Sequence, residues 1–235
     1  NFEAKVDPTN NFKINFTNLS GSSTDYVWNF GDGNSATGKN VSNTYSDLGT
    51  YSVTLTASDK LGVTSTITKN IEVLEKTVIV PEILEAGFED NSLPDGSGDG
   101  RDSWRNDFGG VIQITSSPVY EGSQAAKFPS AGDRVAYQEL IVSPDADYVL
   151  KYYYTMKESG SGNLTVRVIG GSLSDLDNAD AEAIGTHIGT NQDSSSTYVE
   201  VEIPFNTGDN TIVGILITNE GVESRADSFS ITAVK

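Results

Sequence analysis

Trp28-Asn29-Phe30-Gly31-Asp32-Gly33 is the stretch that decides the fold of the first part of the chain. On an extended backbone, alternate side chains share a face, so Trp28 and Phe30 point into one core. Gly31 and Gly33 permit the sharp turn that follows, and Asp32 between them can accept hydrogen bonds from turn amides. Downstream, Asn43-Thr44-Tyr45 precedes Gly49-Thr50-Tyr51-Ser52-Val53-Thr54-Leu55, where Tyr51, Val53 and Leu55 again alternate with polar residues. Phe12–Phe16 upstream and Thr64–Val73 downstream repeat the period of two, with turn signals at Ser20-Gly21, Ser46-Asp47-Leu48-Gly49 and Leu61-Gly62. Several short strands at regular spacing predict a β-sandwich over residues 1–75.

These motifs together resemble the PKD domain, whose usual pattern is WDFGDG, a later H-x-Y, and then G-x-Y-x-V-x-L. Asn29 stands where that pattern has Asp, and Asn43 where it has His. The resemblance implies an immunoglobulin-like sandwich acting as a spacer. Residues 76–82, with Pro81, read as a short, fairly stiff linker.

Composition bounds the function classes. The chain has 235 residues and no cysteine, which excludes a disulfide framework and thiol catalysis. No apolar run approaches the about 18 residues a membrane span needs. The abrupt start at Asn1-Phe2-Glu3 suggests that a leader or lipidated tether precedes it. The net charge of −18 disfavours nucleic acid and anionic lipid. The charge is uneven: residues 1–76 carry 6 basic and 8 acidic side chains, and residues 77–235 carry 9 and 25. That asymmetry marks two modules.

From residue 83 the strand pattern restarts. A first strand is expected over Leu84–Glu89, followed by a long polar loop over 90–107. Further strands are expected at 111–115, 124–128, 134–142, 147–157, 163–169, 197–203, 211–218 and 227–234, with 174–183 read as a loop or a short helical turn. Nine strands without helical periodicity predict a jelly roll over 83–235, making the whole chain all-β with two sandwiches in tandem.

Gly87-Phe88-Glu89, Tyr120-Glu121-Gly122-Ser123-Gln124-Ala125-Ala126, Gln138 with Val142, Asp147–Tyr153 and Ala226–Ile231 together resemble the jelly-roll carbohydrate-binding modules, such as families four, six and twenty-two. The resemblance implies polysaccharide binding and a structural Ca2+ held by Glu89, Glu121 and Asp227 with a backbone oxygen near Gln124. Hard oxygen ligands from separate segments suit calcium. A second, local cluster over 95–102 resembles the start of an EF-hand loop, but its twelfth position is Asn106 rather than Glu.

Sugar binding needs flat aromatic faces and directional polar groups. From Tyr148 to Lys157, alternation assigns Tyr148, Leu150, Tyr152, Tyr154 and Met156 to the core, and Lys151 and Tyr153 to a solvent-facing sheet. By the same rule Arg167 faces out while Leu164, Val166 and Val168 face in. Trp104 in a polar loop with Arg101 and Arg105 is a further ligand candidate, as are Arg134, Tyr137, His187 and Tyr198. If the arginines and Lys151 converge, the ligand carries carboxylates or sulfates.

Catalysis finds no support in the motifs. One histidine and no cysteine cannot build a usual zinc site, and abundant acids decide nothing about a hydrolase pair. The expectation is a non-catalytic, monomeric glycan binder, secreted or held at a cell surface as an outer-membrane lipoprotein. It would serve an uptake complex or a larger carbohydrate-active enzyme and take an algal or plant-type polysaccharide. The alternatives are a cell-surface adhesion protein and a small polysaccharide lyase.

Overall fold

The structure is a computed structural model, and it describes residues 1–8, 10–21, 23–89 and 100–234. The chain divides into two compact units, Asn1–Thr77 and Val78–Lys235.

In the first unit, β1 (Phe2–Asp7), β2 (Asn10–Asn18) and β5 (Asn40–Thr44) form one sheet in the order β1-β2-β5. The second sheet, ordered β4-β3-β6-β7, contains β3 (Asp25–Asn29), β4 (Ser35–Thr37), β6 (Gly49–Ser58) and β7 (Thr64–Val73). Between them lie Phe2, Ile14, Phe16, Trp28, Phe30, Tyr45, Val53, Leu55 and Val73, all buried. The buried Trp28 indole does not waste its donor, since Nε1 gives a 2.9 Å hydrogen bond to Gly38 O. The turn after β3 works as the sequence predicts. Asp32 Oδ1 accepts from the Asn34 amide (2.9 Å), and Oδ2 accepts from Asn43 Nδ2 (2.7 Å). Both departures from the family pattern have work to do: Asn43 holds Asp32, and Asn29 Oδ1 accepts from the Gly31 amide at 2.9 Å. Gly31 sits at φ +80° with the backbone of Ser52 where a Cβ would be.

The second unit is two five-stranded sheets facing each other. One runs β15-β12-β17-β10-β9, built from β9 (Gln113–Thr115), β10 (Ala125–Phe128), β12 (Asp147–Met156), β15 (Val199–Asn206) and β17 (Ser224–Ala233). The other runs β14-β13-β16-β11-β8, built from β8 (Gly110–Val111), β11 (Arg134–Ile141), β13 (Asn163–Gly170), β14 (Ala183–Gly189) and β16 (Ile212–Glu220). The core contains the expected side of β12, with Tyr148, Leu150, Tyr152, Tyr154 and Met156 buried against Leu164, Val166 and Val168 of β13.

The first strand and the linker bounds need correction, and the 174–183 stretch is settled between its two alternatives. Leu84–Glu89 is a chain of turns, not a strand; Glu85 and Phe88 take positive φ, which a strand cannot contain. Of the expected stiff linker 76–82, the residues from Val78 onward belong to the second unit. Tyr148 donates to Ile79 O (2.7 Å), the Ile79 amide donates to Ser143 Oγ (2.9 Å), and Ile83 is buried. Residues 174–183 hold the short helical turn, the alternative to a loop. A 3₁₀ turn (Leu176–Asn178), with Asp175 accepting from the Asp177 amide, runs into α1 (Ala179–Glu182), and β14 follows without having been expected.

That short helical segment covers much of one outer face. Leu173, Ala179 and partly buried Leu176 pack on Val135, Tyr137, Ile169 and Leu216, outside the sheet of β11, β13 and β16. One cleft lies beside β11, between residues 79–84 and Gln138–Ile141, and another opens on the opposite outer face, that of β12 and β17.

Candidate functional site

The cleft encloses 570 Å³ and is lined by Ala86, Gly87, Glu89, Tyr120, Glu121, Gly122, Lys151, Tyr153 and Ser228–Ser230. Its floor is β12 and β17. Its wall is the loop between β9 and β10, and two carboxylates hold that loop. Glu89 Oε1 accepts from the amides of Ser123 (2.7 Å) and Gln124 (2.6 Å), while Oε2 accepts from Ser123 Oγ (2.7 Å). Asp227, fully buried on β17, accepts from the amides of Tyr120 (2.8 Å) and Glu121 (3.3 Å) through Oδ2, and from Ser228 through Oδ1. Gly122 is required here: it has φ +68°, and a Cβ would come within 2.4 Å of Glu89 Oε1. Tyr198 Oη ties down the other end of the loop through Pro118 O (3.0 Å).

The loop thereby sets Tyr120 flat on Tyr153, with ring centroids 3.6 Å apart and 11° between planes. Tyr120 is 44% exposed, and the Tyr198 ring meets it edge-on with centroids 5.9 Å apart. Tyr153 Oη donates to Glu200, and Lys151 Nζ lies 2.6 Å from Glu200 Oε2 and 5.4 Å from the Tyr153 ring centre. Hydrogen bonds with Glu200 and Tyr120 push the Tyr153 phenol up to about 12. The same Glu200 and then Tyr153 raise Lys151 and hold it as a cation.

The two clamping acids differ. Burial of Glu89 works to raise its pKa, but the Ser123 hydroxyl and the Gln124 and Ser123 amides win and bring it below the usual range. Burial of Asp227 outweighs its three amide bonds and raises it, and the charge of Glu89 adds to the rise. The two are neighbours, since a Cβ on Gly87 would lie 3.6 Å from Glu89 Cγ and 3.9 Å from Asp227 Oδ1.

The expected calcium ligands do gather around this loop. Glu89 and Asp227 clamp it, Glu121 is exposed at its tip, and Gln124 has a buried Oε1 with no hydrogen-bond partner among the described residues. Among the described residues no three His, Cys, Asp or Glu side chains lie close enough together to hold a metal. Residues 95–99 of the local acidic cluster lie outside the described residues. Asp102 is buried and pairs with Arg105 Nε at 2.6 Å.

The expected ligand residues do not converge. Tyr153 and Lys151 stand on β12 of one sheet, whereas Arg134, Tyr137 and Arg167 stand on β11 and β13 of the other, with Tyr137 and Arg167 on its outer face. Arg167 is paired with Asp180 (2.7 Å) and Arg134 with Asp133 (3.4 Å) and Val111 O (2.9 Å). Tyr137 is 8% exposed, accepts from the Leu173 amide and donates to Glu139. Arg101 donates to Ile112 O.

Trp104 is not an exposed loop tryptophan. It ends a 3₁₀ turn (Asp102–Trp104) at 1% exposure, packs on Phe88 and Phe229 at 5.5 and 5.3 Å, and donates to Glu85 O. His187 is partly buried and hydrogen-bonded to Tyr152 Oη at 2.7 Å, and its pKa is lowered by burial.

Tyr120 escaped the sequence reading as a ligand candidate because it lies in a turn motif, where no periodicity says which way a ring points. Glu200 was missed because only the pairing of β15 with β12 brings it beside Tyr153.

Residues 2–73 match the PKD domain family model. The PKD1 domain of the Vibrio cholerae metalloprotease PrtV is similar to the same region, at 32% identity over 31% of this chain and 91% of that one, with a TM-score of 0.28. Over 98% of both chains, the chain is similar at 14% identity and a TM-score of 0.40 to a structure of carbohydrate-binding modules from the β-sandwich superfamily with promiscuous specificity. A cyclase from Fischerella sp. TAU is similar at 14% identity over 67% of this chain and 98% of that one, with a TM-score of 0.46.

Proposed function

We propose that the second unit binds a polysaccharide without catalysis, in the cleft beside Tyr120, and that the PKD unit serves as a spacer. The observation that supports this reading best is the partly exposed ring of Tyr120, stacked on Tyr153 and fixed by a loop that two carboxylates clamp. A pre-positioned flat ring suits the C–H face of a pyranose, and it loses little freedom on binding. Glu121, Lys151 and Ser230 around it can exchange hydrogen bonds with sugar hydroxyls. Glu89, Glu121 and Glu200 outnumber Lys151, and Glu200 already neutralises that ammonium, so the cleft favours uncharged sugar units. An algal or plant-type neutral glycan fits that charge. On this reading the protein works outside the cell, on a surface or as part of a larger carbohydrate-active assembly. Among the described residues no helix is long and apolar enough to cross a membrane.

Calcium belongs to the same proposal, as a structural ion. Glu89, Asp227 and the oxygens of Gln124 would hold it, and it would offset the Glu89 charge that adds to the burial-driven rise of the Asp227 pKa. Chelator would then lower the melting temperature of the second unit, and calcium would restore it. An unchanged melting curve would remove calcium from the proposal.

Titration calorimetry of the chain against neutral polysaccharides tests the main reading. Tyr120→Ala is expected to weaken binding by roughly tenfold, the scale of one aromatic contact of about 1.4 kcal/mol. Heat with no glycan, or a Tyr120→Ala variant that binds as well as the parent, would overturn it. The first of those results would favour an adhesion role with a protein partner.

A further inference from the structure

The arginines expected to converge do not, but a different set of cations does. Glu223, just before β17, carries three of them. Its Oε1 lies 2.8 Å from Arg225 Nη2, and its Oε2 lies 3.4 Å from Lys127 Nζ and 3.3 Å from Lys157 Nζ. One carboxylate thus faces three positive charges, in a chain of net charge −18.

Two further observations make this more than a surface ion pair. Lys127 on β10 stands directly opposite Arg225 on β17 in the sheet register, and like charges in that position repel. The Arg225 side chain is 9% exposed, and its Nε and Nη1 are buried with no hydrogen-bond partner among the described residues. Guanidinium donors are rarely left unmet in an interior, and an unmet one commonly marks a bound water or ion. Arg225 also lies on the outer face of its sheet, since its neighbour Ala226 is in the core. The ammonium groups keep an approach from solvent, with Lys157 51% and Lys127 28% exposed.

We propose that Lys127, Lys157 and Arg225 form an oxyanion-binding site that takes a carboxylate or sulfate group. Such a group has several acceptor oxygens at fixed spacing, which a guanidinium flanked by two ammonium groups can share. None of its three residues lines the cleft at Tyr120, but Arg225 stands opposite Thr155, two residues along β12 from Tyr153, so the two sites are neighbours on one sheet. The same chemistry could arrive as a free ion or as the acid group of a uronic acid or sulfated sugar.

The test is calorimetric titration of the full chain with sodium sulfate, against chloride at matched ionic strength, together with thermal melts. Saturable binding is expected, with a rise in the melting temperature of the second unit on the order of 5 °C at a hundredfold excess over Kd. In Lys127→Gln/Lys157→Gln, where both changes fall on partly exposed side chains, the affinity should drop at least tenfold. General stabilisation by sulfate would raise parent and variant alike. An oligouronate that binds at least tenfold more tightly than sulfate would identify the ligand as a glycan acid group, and equal affinity would identify the free ion. A linear, unsaturable response in the parent, or unchanged affinity in the double variant, would overturn the proposal.

Discussion

Gly31 and Gly33 offer a paired test of how the PKD unit is built. Both have positive φ, +80° and +94°. An alanine at either position meets the same backbone penalty, about 1–2 kcal/mol for an L-residue in the left-handed region. They differ in space. At Gly33 a Cβ meets nothing within 4 Å, whereas at Gly31 it would lie 2.8 Å from Ser52 O and 2.9 Å from Ser52 N. Ser52 belongs to the neighbouring strand β6, so that backbone cannot yield without disturbing the sheet. Forcing a methyl into such a site adds about 1–3 kcal/mol. Gly33→Ala should therefore cost about 1–2 kcal/mol and Gly31→Ala about 2–5 kcal/mol. A unit of this size has a total stability of only about 4–12 kcal/mol. At about 4–8 °C per kcal/mol for a small domain, calorimetry should show the Gly31→Ala transition clearly below that of Gly33→Ala. Equal losses for the two variants would refute the argument that close approach of Ser52, rather than φ alone, fixes glycine at 31.

Other expectations follow from the described contacts. Asp32 has its pKa lowered: burial works against this, but the Asn43 side chain and the Asn34 groups outweigh it. Its contribution is thus present above the usual carboxylate range and lost as pH falls through the lowered value, so the PKD unit should lose stability only in acid. Asn43→His would place a titratable donor against Asp32, whose charge raises the histidine pKa. The added stability would be fully present below about 6.5 and would fade as pH rises through the raised value, a slope between pH 6 and 8 that the parent lacks in melting curves. Trp104→Ala should destabilise the second unit by about 3–5 kcal/mol, as a core truncation does. The milder Trp104→Phe should lower its melting temperature while leaving any glycan affinity within twofold; a larger loss would return Trp104 to the ligand candidates. Glu89→Gln should loosen the loop that presents Tyr120, and faster amide exchange at Ser123 and Gln124 would report it.

Much of the fold was legible because strands declare themselves by alternation. Tyr148 to Met156 is such a case, and its buried side came out as the period of two requires. The turn at Gly31-Asp32-Gly33 was legible because positive φ and an amide-accepting carboxylate leave few residue choices. The site was less legible, for a geometric reason. Alternation says that Tyr153 and Arg167 each face out, but not that their strands belong to different sheets, so residues that look alike in sequence end on opposite faces. Trp104 misled because a polar neighbourhood in sequence says nothing about the Phe88 and Phe229 rings that close around it in space. The cations around Glu223 come from β10, the end of β12 and β17, and no spacing rule could have joined them.

The chain has two tryptophans, and each compact unit has one, with Trp28 and Trp104 buried to 1% exposure or less. Each indole is therefore a built-in emission probe for its own module. Trp28→Phe would leave a protein whose tryptophan fluorescence follows only the second unit, and Trp104→Phe one that follows only the PKD unit. Unfolding either module would move its indole from an apolar core into water and shift its emission to the red. Whether the modules unfold together or in turn could then be read from two spectra, with no label attached to a chain that offers no thiol to carry one.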